Sequence, residues 1–265
     1  MRAKTLLTLY LLAILALAAA LLFAAAAQKS FWEDEAFTAI FAQKDTSELL
    51  EGLSWDVHPP LYLLLVNQWG KVFGFDELGL RSFSILWSLA ALLLAYKLAR
   101  DLFGESVALL AVALLALNPL LLMYGFNARY YAMAAFLALA MAWAALRFQR
   151  PGQFGFLLLY LLSSVAFLYL LFAAFLVIAA ANLWWLARWL IQKQERSAGA
   201  LALWLAAQAA VVGLYWPGLQ ILQTVGGRFG ELAQVSSWPL EIAKRGGYYA
   251  FVSAVGETLS PLNPL

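Results

Sequence analysis

Seven stretches of roughly twenty mostly apolar residues, the length needed to cross a bilayer, recur along this chain. They lie at about 5–27, 81–98, 105–122, 130–147, 154–170, 172–190 and 199–217. The composition agrees with them: of 265 residues, 65% are hydrophobic and 12% charged. Soluble domains sit near 45–50% apolar and about 25% charged, and no soluble core could hide this much apolar surface. The expected fold class is an all-α integral membrane protein, a polytopic helical bundle of about seven transmembrane helices, with short interfacial helices in its first external loop.

The same composition closes off several functions. A net charge of +2 gives no reason to expect nucleic acid. The absence of cysteine excludes disulfides, thiolate metal sites and Cys nucleophiles, and a single histidine, His58, excludes a multi-histidine metal site. The first apolar run follows Arg2 and Lys4 as a signal peptide would, but it is long enough to span. The Gln28-Lys29-Ser30 that follows offers no convincing cleavage pattern, so it reads as an uncleaved anchor with a cytoplasmic N-terminus.

Basic residues near span ends prefer the cytoplasm. With seven crossings the cytoplasmic pieces are 1–4, 97–105, 147–153 and 188–198, and these short pieces hold nine of the 17 Lys and Arg residues. The much longer external pieces, 28–81, 123–129, 169–172 and 217–265, hold the other eight. An eighth apolar piece, Pro60 to Phe73, is short and carries Asn67, Gln68 and Lys71. If it crossed, most basic clusters would move outside, so it reads as a half-buried or interfacial helix. The first external loop, 28–81, holds nine of the 15 acidic residues. Within it, Ala36, Phe37, Ile40 and Phe41 share one helical face, and Asp45 with Glu48 has capping-box spacing. Both features predict short helices on the membrane surface.

Three runs on the external side carry candidate chemistry. Glu33-Asp34-Glu35 sits just past the first span, in the first turn of a predicted helix, where anions complement the dipole. Alone, it reads equally as a solvated helix start. Trp55-Asp56-Val57-His58-Pro59-Pro60-Leu61-Tyr62 uses its double proline to fix an extended entry into a helix. Alone, it reads as a helix-start device with an incidental histidine. Tyr124 to Tyr131 encloses Arg129 among tyrosines, which also suits an interfacial belt. An external arginine runs against the positive-inside tendency, however, and an ionisable group at the membrane boundary is a functional candidate.

Together the runs supply carboxylates, a histidine, an arginine and tyrosines at one membrane level. Transfer of a sugar from a lipid phosphate needs that mixture. A carboxylate serves as base for the acceptor hydroxyl. The leaving phosphate is already a stable anion and needs cations and donors rather than an acid. Arg129 suits phosphate by its fork geometry, with His58 assisting. A hydrolase would want two opposed carboxylates flanking the bond.

The residues also form an ordered set. An acidic pair follows the first span, then His58-Pro59-Pro60-Leu61-Tyr62, Phe73-Gly74 and Leu80-Arg81-Ser82. Tyr96-Lys97-Leu98-Ala99-Arg100, Phe103-Gly104, Asn118-Pro119 and Ala128-Arg129-Tyr130-Tyr131-Ala132 complete it. Over roughly residues 1–190 this order resembles the GT-C glycosyltransferases, in the branch of protein O-mannosyltransferases and aminoarabinose transferases. The resemblance implies a seven-span module with large first and fourth external loops, and an inverting transfer from a polyprenyl-phosphate sugar. It makes Asp34 the leading catalytic carboxylate with Glu35 its neighbour. It sets His58 near the donor phosphate, and Arg129 and Tyr131 in the Arg-x-Tyr run. Tyr62 joins His58, Arg129 and Tyr131 as an expected substrate-binding residue. Where such proteins often carry a Tyr-Thr-His-Tyr-like turn, this chain has Tyr169-Leu170-Leu171-Phe172, without histidine.

The expected organisation is a GT-C-like transmembrane module over 1–217, then an external loop region over 218–265, truncated before further spans. The expected activity is a glycosyltransferase, hexosyl or pentosyl, acting at the external face of the cell membrane. Its expected partners are a lipid-linked sugar donor, membrane lipid, and an acceptor glycan, lipid or protein. No cofactor is required by the pattern, although Asp34 and Glu35 offer oxygen ligands to a divalent cation. Two other readings remain at this stage. A transporter or flippase for a lipid or small solute would place paired charges inside the spans. A non-catalytic partner subunit would keep the fold without the reaction.

Overall fold

The computed structural model describes residues 2–53, 59–149, 151–192 and 197–232, and among them it contains helices and no strand. The first helix, α1 (Arg2–Ala27), leads to two short helices, α2 (Glu33–Ala42) and α3 (Thr46–Leu53), and then to α4 (Leu61–Phe73). The long α5 (Glu77–Phe103) is followed by α6 (Glu105–Ala116), α7 (Pro119–Tyr124) and α8 (Tyr131–Arg147). The last three are α9 (Phe154–Leu168), α10 (Ala174–Ile191) and α11 (Ala198–Leu232).

Among the described residues, four helical stretches are long and apolar enough to cross a membrane: Thr5–Ala27, Glu77–Phe103, Ala174–Ile191 and Ala198–Leu219. Three shorter apolar helices, α6, α8 and α9, stand among them. The chain is a polytopic helical membrane protein. The third expected span is in two parts, α6 and α7, because Pro119 has no N–H to continue the ladder. Asn118 restarts the helix by accepting from Leu120 N at 2.9 Å. The 13 residues of α4 reach about 20 Å, well short of the ≈ 30 Å hydrocarbon layer. The last helix runs through Pro217 to Leu232, so residues 218–232, expected as loop, continue it. Residues 233–265 lie outside the described residues.

Lipid is as apolar as leucine, so helices in a membrane are held by close packing and by polar contacts. Both devices are present. Ala18, Ala108 and Ala116 are buried where α1, α5 and α6 meet, which lets these helices approach closely. Between α9, α10 and α11 the device is polar. Trp204 Nε1 donates to Asn182 Oδ1 at 2.8 Å, and Asn182 Nδ2 donates to Gln208 Oε1 at 3.0 Å. The Trp204 ring stacks on Trp185 with centroids 4.5 Å apart.

Helix α5 is the axis of the bundle and packs against α1, α4, α6 and α8. Asp76 caps it by accepting from Gly79 N at 2.7 Å. Gly79 itself admits no side chain: a Cβ there would come within 2.4 Å of the Gly74 carbonyl oxygen. This contact lets α4 fold back tightly against the start of α5. Leu61 N donates to Tyr169 O at 3.0 Å, so the turn between α9 and α10 also sits at this end. At the other end of α5, Arg147 bonds Asp101 and Arg188 bonds Leu146 O. Arg81 and Asp101, twenty residues apart on one helix, mark two ends about 30 Å from each other. The described residues of the expected external pieces 28–81, 123–129 and 169–172 thus share one end, and those of 97–105, 147–153 and 188–198 share the other.

The most deeply buried face of α2 is not its apolar stripe, although Phe37 and Phe41 of that stripe pack against the core. Glu35, Thr38, Ala39 and Ala42 face inward, while Ile40 is exposed. At a water–lipid boundary the outer surface can be apolar, and the polar groups that need partners turn toward protein. Asn67 of α4, fully buried, fastens the far end of this helix by donating to Ala42 O at 2.8 Å and Lys44 O at 2.9 Å. Replacing it (Asn67→Leu) orphans those carbonyls. It should cost about 1–3 kcal/mol, read as a lower unfolding temperature of the purified protein in detergent.

Candidate functional site

Helix α2 is set in place by its third residue. Glu35 is fully buried, and both carboxylate oxygens are used. Its Oε1 accepts from Arg81 Nε at 2.9 Å and from Ala128 N at 2.7 Å. Its Oε2 accepts from Arg81 Nη2 at 2.6 Å and, weakly, from Trp32 N at 3.4 Å. Arg81 is equally enclosed. Beyond the two bonds to Glu35 it donates to Ala26 O at 2.7 Å, Ser30 O at 3.0 Å and Lys29 O. All five N–H donors of a guanidinium are therefore engaged. The rings of Phe31 and Phe126 flank the cation at 5.3 and 5.4 Å. One ion pair thus joins the end of α1, the linker after it, α2, α5 and the loop between α7 and α8.

That loop, residues 125–130, is tied down at two more points. Ser88 Oγ donates to Gly125 O at 2.7 Å, and Ser84 Oγ donates to Arg129 O at 3.3 Å. Gly125 passes so close to α7 that a Cβ would come within 2.3 Å of the Leu121 carbonyl oxygen. Tyr62 of α4 completes the support, its hydroxyl 3.1 Å from Ser84 Oγ. Burial pushes the Tyr62 phenol above its ordinary range, so it stays protonated and can donate to Ser84.

On this platform Asp34 and Arg129 face each other. The Arg129 Nη2 lies 3.8 Å from Asp34 Oδ2, and Nη1 makes long contacts to Asp34 O at 3.5 Å and Thr38 Oγ1 at 3.4 Å. Thr38 Oγ1 in turn donates to Asp34 O at 3.1 Å. The two side chains differ in exposure: 44% for Asp34 against 7% for Arg129. The pair is long and its Asp34 end faces water, so this carboxylate is accessible from outside the protein. Tyr130 and Tyr131 border the pair, with Arg129 5.5 Å from the Tyr130 ring and Tyr131 packed edge-on to Tyr124 at 5.3 Å. A cavity of about 240 Å³ adjoins the platform between Lys29, Trp32, Tyr124 and Asn127.

The sequence-predicted residues therefore separate into kinds. Asp34 and Arg129 stand together, the carboxylate half exposed and the guanidinium buried, and Tyr131 packs beside them against Tyr130 and Tyr124. Glu35, expected beside Asp34 as a catalytic carboxylate, points the other way, and its oxygens are filled by Arg81 and Ala128. Tyr62, expected to bind substrate, is buried behind Arg129 and touches Ser84. His58 and Asp56 lie outside the described residues. Among those residues no group of three or more His, Cys, Asp or Glu side chains is gathered that could hold a metal ion. Arg81 is the residue that sequence reasoning passed over, quoting it only within Leu80-Arg81-Ser82. The signal was available: an external cation abutting an apolar run, the same anomaly that singled out Arg129.

The family model for dolichyl-phosphate-mannose-protein mannosyltransferase matches residues 57–216, more than half of the chain. The chain belongs to this family. It is a membrane glycosyltransferase, and the mannosyltransferase-like character of the family sets aside the transporter reading. No curated protein and no solved structure gives a match. The matched region contains Arg81 and Arg129 but begins after Asp34 and Glu35. The Glu35–Arg81 pair and the Ala128 N–H bond couple this family member's acidic run to its matched core.

The platform and the exposed pair should separate by mutation. Glu35→Gln leaves Arg81 buried without its counter-charge and should destabilise by about 3–5 kcal/mol. Asp34→Asn should cost clearly less than Glu35→Gln, because Asp34 is half exposed and stands 3.8 Å from the Arg129 guanidinium, so water can take over part of its role. Thermal unfolding of both variants in the same detergent checks the contrast.

Proposed function

We propose that this family member transfers a sugar from a polyprenyl-phosphate donor to a hydroxyl of an acceptor glycan, lipid or protein, with inversion, at the external face of the cell membrane. In this reading the N-terminus is cytoplasmic. The basic residues gathered at the Asp101 end of α5 support that orientation through the positive-inside tendency.

The observation that carries the reading is the placement of Asp34 opposite Arg129 at one membrane boundary, 3.8 Å apart. Asp34 takes the proton of the acceptor hydroxyl as its oxygen attacks the anomeric carbon. The bond from that carbon to the phosphate oxygen breaks, and the phosphate keeps the electron pair. Arg129 balances the charge that grows on the phosphate, which leaves without needing a proton. A single attack from the face opposite the leaving group inverts the anomeric centre. A retaining path would want a second carboxylate nearby as nucleophile, and Glu35 is occupied. Attack and departure flank the anomeric carbon, so a bound sugar must part the Asp34–Arg129 pair. The weak pairing makes that inexpensive, while the Glu35–Arg81 platform beneath keeps both residues in register. Tyr62, through Ser84, steadies the Arg129 backbone, and Tyr131 offers a face to the sugar or lipid phosphate. His58 is assigned to the donor phosphate on the family resemblance alone.

Asp34→Asn should lower transfer from a radiolabelled polyprenyl-phosphate sugar by roughly 10²–10⁴-fold, the usual contribution of a general base, in protein that stays folded. Unchanged turnover would remove Asp34 from the mechanism. A wild-type chain that binds donor but never transfers would favour the non-catalytic subunit.

A further inference from the structure

The opposite end of the bundle carries a second site that the transfer reaction does not use. A cavity of about 670 Å³ opens there, lined by Asp101, Arg147, Gln149, Arg188 and Gln192 among others. Among the described residues its charged lining is two guanidiniums and one carboxylate, cationic on balance. Asp101 is held by Trp143 Nε1 at 2.7 Å and orients Arg147 through two bonds of 2.8 Å, yet the Arg147 side chain remains 43% exposed. Arg188 is directed by bonds to Gln192 Oε1 at 2.9 Å and Leu146 O at 3.0 Å. Two oriented cations at a common mouth suit an anionic oxygen group.

The cavity does not end at the mouth. An apolar trough of about 350 Å³ continues from it between α5, α8 and α10, and the two share Leu102, Leu146 and Trp184. Helix α10 packs on α8 and α9 rather than on α5, and alanines at 138, 142, 145 and 181 leave the resulting space unfilled. From Leu146 to Ala138 the trough follows eight residues of α8, about 12 Å, toward the middle of the membrane. Trp184, 44% exposed, stands at the junction, its ring 5.5 Å from the Arg188 cation, as an interfacial tryptophan would.

A cationic mouth at the membrane boundary leading into an apolar trough matches one kind of molecule. We propose that an anionic glycerophospholipid binds here, in the leaflet opposite the candidate site, with its phosphate against Arg147 and Arg188 and one acyl chain in the trough. A soluble phosphate would use the mouth and leave the trough unused. A zwitterionic lipid would bring its own cation to a mouth already positive. The inference stands apart from the proposed transfer reaction, about 30 Å away along α5.

Native mass spectrometry tests this on the full chain, released from mixed micelles of phosphatidylglycerol and phosphatidylcholine with identical acyl chains. The wild type should retain phosphatidylglycerol about tenfold or more over phosphatidylcholine, the discrimination expected of charge-assisted bonds. The double variant R147Q/R188Q should bring the ratio to about one. Ala142→Phe, which fills the trough from an exposed position and leaves both arginines intact, should lower retention of both lipids. Excess inorganic phosphate should not displace the bound lipid. The proposal is overturned by a wild type without preference, by a double variant with the wild-type ratio, by an Ala142→Phe protein that retains lipid normally, or by displacement with inorganic phosphate.

Discussion

A guanidinium and a carboxylate enclosed together at the edge of a membrane have few stable arrangements, and Arg81 and Glu35 occupy one of them. The mutual charge offsets much of the cost of taking each out of water, but only if every remaining donor and acceptor finds a partner. Here the carbonyls of Ala26, Lys29 and Ser30 and the amide of Ala128 complete the set. Those four groups belong to segments distant in sequence, so satisfying one ion pair fixes the exit of α1, the start of α2 and the loop before α8 together. Hydrophobic packing could not impose this in lipid, where apolar faces gain little by meeting.

Placing the functional pair on top of that platform divides the labour between two adjacent carboxylates. Residues 34 and 35 are neighbours in sequence, but a helix turns them about 100° apart. One is driven into the protein and the other left toward water. The buried member carries structural load and is unavailable for proton transfer. The half-exposed member makes one long contact with Arg129, and in the proposed reaction it exchanges that partner as substrate arrives. Family membership supplies the class of reaction, and this division supplies a reason for assigning the two residues different parts in it.

Much of the architecture was legible in the sequence because the bilayer simplifies the problem. Apolar runs of sufficient length pointed to a polytopic helical bundle, and the short, amide-bearing Pro60–Phe73 piece to a helix shorter than the hydrocarbon layer. Asp34 and Arg129 were readable as ionisable groups at one boundary. The rest depended on contacts that no local pattern encodes. The division between Asp34 and Glu35 turns on which face of α2 meets Arg81, forty-six positions later. The apolar stripe Phe37, Ile40 and Phe41 marked a short surface helix but not that Glu35 and Thr38 are its most buried side chains, because a helix at a lipid boundary need not bury its greasiest side most deeply. Tyr62 looked like a site residue by its neighbours and is a support by its hydroxyl. The break at Pro119 was visible as a residue but not as a break, since the apolar run passes straight through it.

For the proposed transfer to occur, a donor phosphate must meet Arg129 on the side of the sugar's anomeric carbon that lies away from Asp34. An electron cryo-microscopy structure of the protein with a non-hydrolysable polyprenyl-phosphate sugar tests this most directly. The account predicts the phosphate within about 3 Å of the Arg129 guanidinium, the Asp34–Arg129 pair opened, and the Glu35–Arg81 pair unmoved. A donor phosphate seated at the Asp101 end of α5, or one bound with Arg129 still closed on Asp34, would contradict it.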